Sequence, residues 1–295
     1  MLLTILWLAC DAAPPSGDAA PVAPPAPEAP LQVVALSFPA QWLTQRLVGE
    51  GVVVERLLPV GEDPPSYQPP PERIAALQAA DLIVGNGAGY EAWLTTASLP
   101  ASRLVLTADG LDLITLPETR HRHGAAGEHS HGGLDPHTWM DPLLLAQQAD
   151  ALTAALRRAR PEGAWDERGA VLKGELEALH VALQAGLAPL SGRRIAANHP
   201  AYNYLARRYA LDLTSFDFDP ETPPSAESLA AFDAWASGQD APMLWWEQAP
   251  SDAVRAAFPE TVRHVVIDPL EQPPEGGEYD LLRAAQGNLA VLSGI

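Results

Sequence analysis

The chain has 295 residues, enough for one large or two ordinary domains with an ample buried core. Its net charge of -19 argues against nucleic acid as a partner, because displacing counterions needs clustered Lys and Arg, and the only lysine is Lys173. A single cysteine, Cys10, leaves no internal disulfide to staple the fold.

Cys10 follows the short apolar run Leu2 to Ala9 and precedes Asp11 and an Ala/Pro tract that ends at Pro30. The arrangement resembles a bacterial lipoprotein signal, in which the cysteine becomes the lipidated first residue of the mature chain. No basic residue precedes the run, and Trp7 stands where such signals usually carry an aliphatic residue. An ordinary cleaved signal and a chance apolar start are the competing readings. The run is too short to span a bilayer, which takes about 20 apolar residues. Residues 11 to 30 read as an extended tether.

From Leu31 the pattern alternates. Leu31 to Ser37 reads as a buried strand, a helix follows from about Pro39, and Val52 to Leu58 is the next strand. A proline-rich loop, Pro59 to Pro71, leads to a helix over Glu72–Ala80, a strand over Asp81–Val84, a helix over Tyr90–Thr96 and a strand over Arg103–Leu106. The glycines of Gly85-Asn-Gly-Ala-Gly89 do not make a dinucleotide fingerprint, since Tyr90 stands where G-x-G-x-x-G needs its last glycine. They read as a tight turn. Asp141-Pro142 is a helix start, with an N-cap followed by proline at the first helical position. Leu172, Leu176, Leu179, Leu183 and Leu187 then mark one face of a helix from Trp165 to Ala188, about 36 Å long at 1.5 Å per residue. Such a rod is long enough to span two domains.

The second half repeats the alternation: strand Arg194–Ala197, helix Pro200–Tyr209, strand Leu211–Thr214, helix Ser225–Ala236 with a capping box to Glu227, strand Met243–Trp246, helix Ser251–Phe258, strand Val262–Ile267 and helix Tyr279–Leu292. Strands alternating with helices imply parallel sheets wrapped on both faces. The expected fold is α/β: two lobes, each a mainly parallel four-stranded sheet flanked by helices, joined by one long rigid helix. The expected divisions are 1–30 for signal and tether, 31–160 for the first lobe, 161–190 for the linking helix and 191–295 for the second lobe.

Five of the eight histidines, His121, His123, His129, His131 and His137, fall within seventeen residues among Gly, Ala and Ser. Neutral imidazoles are common ligands of zinc, copper and nickel, and such a tract can wrap a cation without a packed core. The competing reading is a solvated polar loop. His137 differs from the rest, because it sits where loop gives way to helix. His199 follows the strand ending at Ala197, and Asp268 follows the strand ending at Ile267; like His137, each is flanked by proline. Ligands of open α/β sheets bind beyond the carboxyl ends of the strands, so two facing sheets bring these groups to one cleft. Two imidazoles and a carboxylate form a good first shell for zinc. Singly, His199 also fits a helix cap and Asp268 a turn before Pro269. His180 and His264 read as structural, and Trp245-Trp246 as core.

Taken in order, Leu57-Leu-Pro-Val-Gly-Glu-Asp-Pro64, Ala80 to Trp93, Asp135-Pro-His-Thr-Trp-Met-Asp-Pro142, Asn198-His-Pro-Ala-Tyr-Asn-Tyr204, Pro224-Ser225 and Ile267-Asp-Pro-Leu270 resemble the metal-binding solute-binding proteins of ABC importers, the zinc and manganese group. The resemblance covers about residues 31 to 292. It implies two α/β lobes on a rigid helix, with His137 and His199 matching the family's second and third ligand positions and Asp268 its carboxylate. Histidine at the third position is similar to the zinc branch, and imidazole suits zinc better than manganese.

One departure stands out. The family's first ligand is the histidine of Gly-x-Asp-Pro-His, and here that position is Pro65. Water in a three-ligand site, His129 or His131 of the tract, Glu247 at the end of its strand, and loss of metal binding are the alternatives. The expected function is capture of zinc outside the cytoplasmic membrane and delivery to an ABC permease by a lipid-anchored monomer, with no catalytic residues. A zinc hydrolase using Glu247 as base shares the same donors, and so does a zinc-storing or adhesive lipoprotein on the same scaffold.

Overall fold

The computed structural model describes residues 29–116, 120–122, 128–130, 133–273 and 279–294, with backbone alone at 120–122 and 128–130. Cys10, His123 and His131 lie outside the described residues.

The amino-terminal lobe contains β1 (Leu31–Ala35), α1 (Phe38–Leu47), β2 (Val52–Arg56), α2 (Pro71–Ala79), β3 (Leu82–Gly85) and β4 (Leu104–Leu106). Its strands form one parallel sheet in the order β2-β1-β3-β4, with Leu31 beside Val52, Val33 beside Leu82 and Ile83 beside Leu104. Strand character tracks position. The central β3 is buried along its whole length and reads Leu-Ile-Val-Gly, whereas the edge strand β2 alternates between partly buried and exposed.

Two short antiparallel ladders follow, β5 (Thr115–Leu116) with β8 (Gly133–Leu134) and β6 (Arg120–Arg122) with β7 (Glu128–Ser130). Thus part of the histidine tract is extended and paired rather than an unstructured loop. Next come α3 (Pro142–Ala159) and α4 (Trp165–Leu187), the latter 23 residues long, and these carry the chain across to the other lobe. There β9 (Arg194–Ala197), α5 (Asn203–Tyr209), β10 (Asp212–Ser215), α6 (Ala226–Ala236), β11 (Met243–Trp246), α7 (Asp252–Arg255), β12 (Arg263–Val266) and α8 (Leu281–Ser293) make a second all-parallel sheet, in the order β10-β9-β11-β12. The same spatial order in both halves is the two-lobed α/β fold expected from the alternation.

The five leucines of α4 at 172, 176, 179, 183 and 187 are all buried and join one continuous core with residues of both sheets. Gly186 on α4 lies close to α8: a Cβ there would lie 2.1 Å from Leu289 Cδ1, which would have to turn aside. The Trp pair splits as adjacent strand residues must. Trp245 joins the large core, while Trp246 packs with Phe218, Phe232 and Phe258 on the opposite face.

Three local expectations are corrected. The helix over Tyr90–Thr96 is one 3-10 turn, Ala92–Thr95, because Gly87, Ala88 and Gly89 all take positive φ and Glu91 turns its carboxylate back onto the Asn86 and Gly87 N–H groups. The helix to Phe258 stops at Arg255; the chain tightens into i→i−3 bonds from Ala257 and Phe258 before Pro259, which disfavours helix in the residue before it. The capping box at Ser225 is absent, since Ser228 holds the third helical position and donates its backbone N–H to Ser225 Oγ at 3.1 Å, with Glu227 one place too early.

Candidate metal centre

The candidate ligands follow strand ends or the turn after β8, and of them the structure brings His137 and His199 together. The chain leaves β8 through Asp135-Pro136-His137 into the 3-10 turn Thr138–Met140. Asp135 is fully buried and fully used. Its Oδ1 lies 2.8 Å from His137 Nδ1 and accepts the His137 backbone N–H at 3.0 Å, while Oδ2 accepts from Asn203 Nδ2 at 2.9 Å. Tyr204 OH donates to the Asp135 carbonyl at 2.8 Å. With Nδ1 held by a carboxylate, Nε2 is the nitrogen His137 has left for a ligand, the arrangement that fixes tautomer and ring direction at metal sites. Burial lowers the His137 pKa, but the bond to Asp135 and the charges of Asp135, Glu271 and Glu247 more than offset it, so the imidazole titrates above its ordinary value.

His199 comes from the other lobe. It begins the 3-10 turn Pro200–Tyr202 after β9, and its side chain makes no helix cap. Its ring meets that of His137 edge to face, with centroids 5.4 Å apart and an interplanar angle of 85°. Both imidazoles are buried. Glu247, immediately after β11, is clasped by Asn198: its N–H donates to Asn198 Oδ1 at 2.9 Å, and Asn198 Nδ2 approaches its Oε1 at 3.4 Å. This sets the carboxylate in the neighbourhood of His199. Burial, joined by the charge of Glu271, pushes Glu247 up to about 7.

Asp268 follows β12 and is held on all sides. Tyr279 OH donates to Oδ2, Leu270 N–H donates to Oδ1 at 2.8 Å, and Asn288 pairs with both backbone groups. Pro65 contributes no donor, as the sequence requires. His121 and His129 stand directly opposite one another in the β6–β7 ladder. Among the described residues, no three His, Cys, Asp or Glu side chains are gathered closely enough to enclose an ion as they stand. His180 and His264 are engaged elsewhere, the first with Tyr209 OH at 3.1 Å and the second as acceptor from Trp246 Nε1 at 2.9 Å.

Sequence reasoning missed two residues at this site. Asp135 was visible only as part of a motif, with nothing in the spacing to say that it orients His137. Glu271 had no local signal at all. Its Oε1 accepts from Tyr90 OH at 2.8 Å, and Tyr90 stacks edge to face on Trp139, itself 5.4 Å from the His137 ring. Burial raises the Glu271 pKa, the positive pull of His137 opposes this, and Asp63 and Asp268 reinforce it.

Comparison with known proteins agrees with this architecture. The zinc-binding lipoprotein AdcA of Streptococcus pneumoniae is 26% identical over 257 residues, covering 83% of this chain and 51% of AdcA, so the chain spans about half the length of that relative. The high-affinity zinc uptake system protein ZnuA of Bacillus subtilis is 27% identical over 233 residues, covering 76% of this chain and 73% of its own. Among solved structures, the metal-dependent lipoprotein YcdH of Bacillus subtilis superimposes with a TM-score of 0.75 at 24% identity, over 90% of this chain and 98% of that one. The family profile for the periplasmic zinc-uptake complex component A matches residues 33–294, nearly the whole folded chain. The chain belongs to the ZnuA family.

Proposed function

We propose that the protein captures Zn2+ in the cleft between its lobes, outside the cytoplasmic membrane, and hands it to an ABC permease. The observation that carries this is the meeting of His137 and His199, one from each lobe, at 5.4 Å between ring centroids. Two buried imidazoles, one oriented by a buried carboxylate, are a nitrogen-rich pair suited to zinc. Asp268 stands as the proposed carboxylate ligand, and His121, His123, His129 and His131 as an auxiliary metal-collecting tract. The leucine face of α4 is buried against both lobes, which limits closure to small movements. Lipidation at Cys10 and a monomeric state complete the proposal.

The family is one of solute-binding proteins, and on that ground the hydrolase reading is set aside. The test is a chelator-competition zinc titration of protein beginning at Leu31, beside His199→Ala and a deletion of residues 121–134. One tight equivalent, lost in His199→Ala and kept in the deletion, is expected. Absence of tight zinc binding by the intact protein would refute the reading, and loss in the deletion would move the primary ligand into the tract.

A further inference from the structure

On the zinc-capture reading, we propose that Glu271 is itself a ligand of the cleft cation, supplying a carboxylate on the side of the site where Pro65 offers no imidazole.

Three contacts tie its segment to the elements that carry the site. Tyr90 OH holds Oε1 at 2.8 Å, and the Tyr90–Trp139–His137 succession of edge-to-face rings ties that phenol to the first imidazole. Trp139 Nε1 donates to the Pro269 carbonyl at 2.8 Å, pinning the segment that carries Glu271 against the turn that carries His137. Gln272 Nε2 donates to the Glu62 carbonyl at 2.7 Å, so the residue after Glu271 is bonded to the very loop in which Pro65 sits. Between these ties Leu270 takes a positive φ of 60°, uncommon for a branched side chain, and thereby turns the backbone between Asp268 and Glu271.

The donor count points the same way. With two neutral imidazoles, Asp268 and Glu271 together neutralise Zn2+ and complete four N/O donors, the usual number for zinc. As they stand, no three of the described side chains enclose an ion, so binding has to draw the two imidazoles and both carboxylates together, and a glutamate adds the reach of its rotatable side-chain bonds.

The test uses the full chain with zinc alone, and Co2+ as a spectroscopic substitute. Glu271→Gln is expected to weaken zinc by more than about 100-fold, beyond the effect usual for a residue that only orients a ligand, and to alter the d–d spectrum of bound Co2+. Tyr90→Phe, which keeps the carboxylate, is expected to cost less than about 10-fold and leave the spectrum unchanged. Adding Pro65→His to Glu271→Gln should recover affinity, and thermal unfolding of the Glu271→Gln protein checks that the single variant is folded. Zinc affinity and Co2+ spectrum both unchanged in Glu271→Gln, with binding lost in His199→Ala, would overturn this inference alone. No tight zinc in the wild-type protein would overturn it together with the capture reading.

Discussion

Replacing Asp135 by Asn tests how the cleft is built, because the change is nearly isosteric and removes only acceptor capacity. Asp135 Oδ1 takes two bonds from His137, and Oδ2 takes one from Asn203. An amide has one oxygen, so its NH2 must face one of these donors. Turned toward Asn203 it meets a second NH2, and Asn203 cannot flip without losing its bond to the Pro200 carbonyl at 2.9 Å. Turned toward His137 it meets an N–H and forces the ring into the tautomer that carries its proton on Nε2, the nitrogen needed by the metal. Either outcome leaves buried donors unpaired, at about 1–3 kcal/mol of folding stability. Zinc affinity should fall about 10–100-fold, equivalent to roughly 1.4–2.7 kcal/mol. Competition against a chromophoric chelator reads the affinity, and thermal unfolding of the metal-free protein reads the stability. Affinity within about threefold of wild type in a folded Asp135→Asn protein would show that His137 needs no orienting carboxylate, and Asp135 would lose its role in the site.

Acidity should weaken zinc binding, because the raised His137 and Glu247 must both release protons before they face a cation. Affinity is expected to fall as pH is lowered, with the Glu247 contribution setting in below about 7, read by titration between pH 5.5 and 8. The metal-free protein should behave in the opposite sense: Glu247 rises from 4.5 to about 7 on folding, so the stability tied to its proton is full below 4.5 and lost as pH climbs through about 7. Metal-free melting temperatures that climb from pH 5 to 8 in wild type but not in Glu247→Gln would contradict this. Leu183→Ala on α4 should cost about 2–5 kcal/mol in denaturant unfolding, since the side chain is buried in the shared core. Ala210→Gly should stabilise by about 0.5–1 kcal/mol, because this exposed residue ends α5 at a φ of 53° that glycine adopts freely; an unchanged or lower unfolding midpoint would count against it.

Much of this protein was written locally. The strand and helix alternation, the leucine spacing of α4 and the proline after Asp141 follow from periodicity and capping chemistry, which act over a few residues, and they specify the two-sheet architecture with its linking rod. His137 and His199 were legible for the same reason, each standing at a strand or helix end within a short motif. Where local signals competed, the reading slipped: glycine turn geometry shortened the helix after Tyr90, and a serine took the place of a glutamate at the third position of α6.

What only the tertiary structure decided is who meets whom. Asp135 and Asn203 are 68 residues apart, and Tyr90 and Glu271 are 181 apart. A hydrogen bond of that separation leaves no periodic trace, because its two ends are brought together by the packing of entire lobes around α4. Desolvation is likewise a collective property: Glu247 and Glu271 carry no mark of their raised pKa in sequence, and acquire it only when the folded lobes thin the water around them.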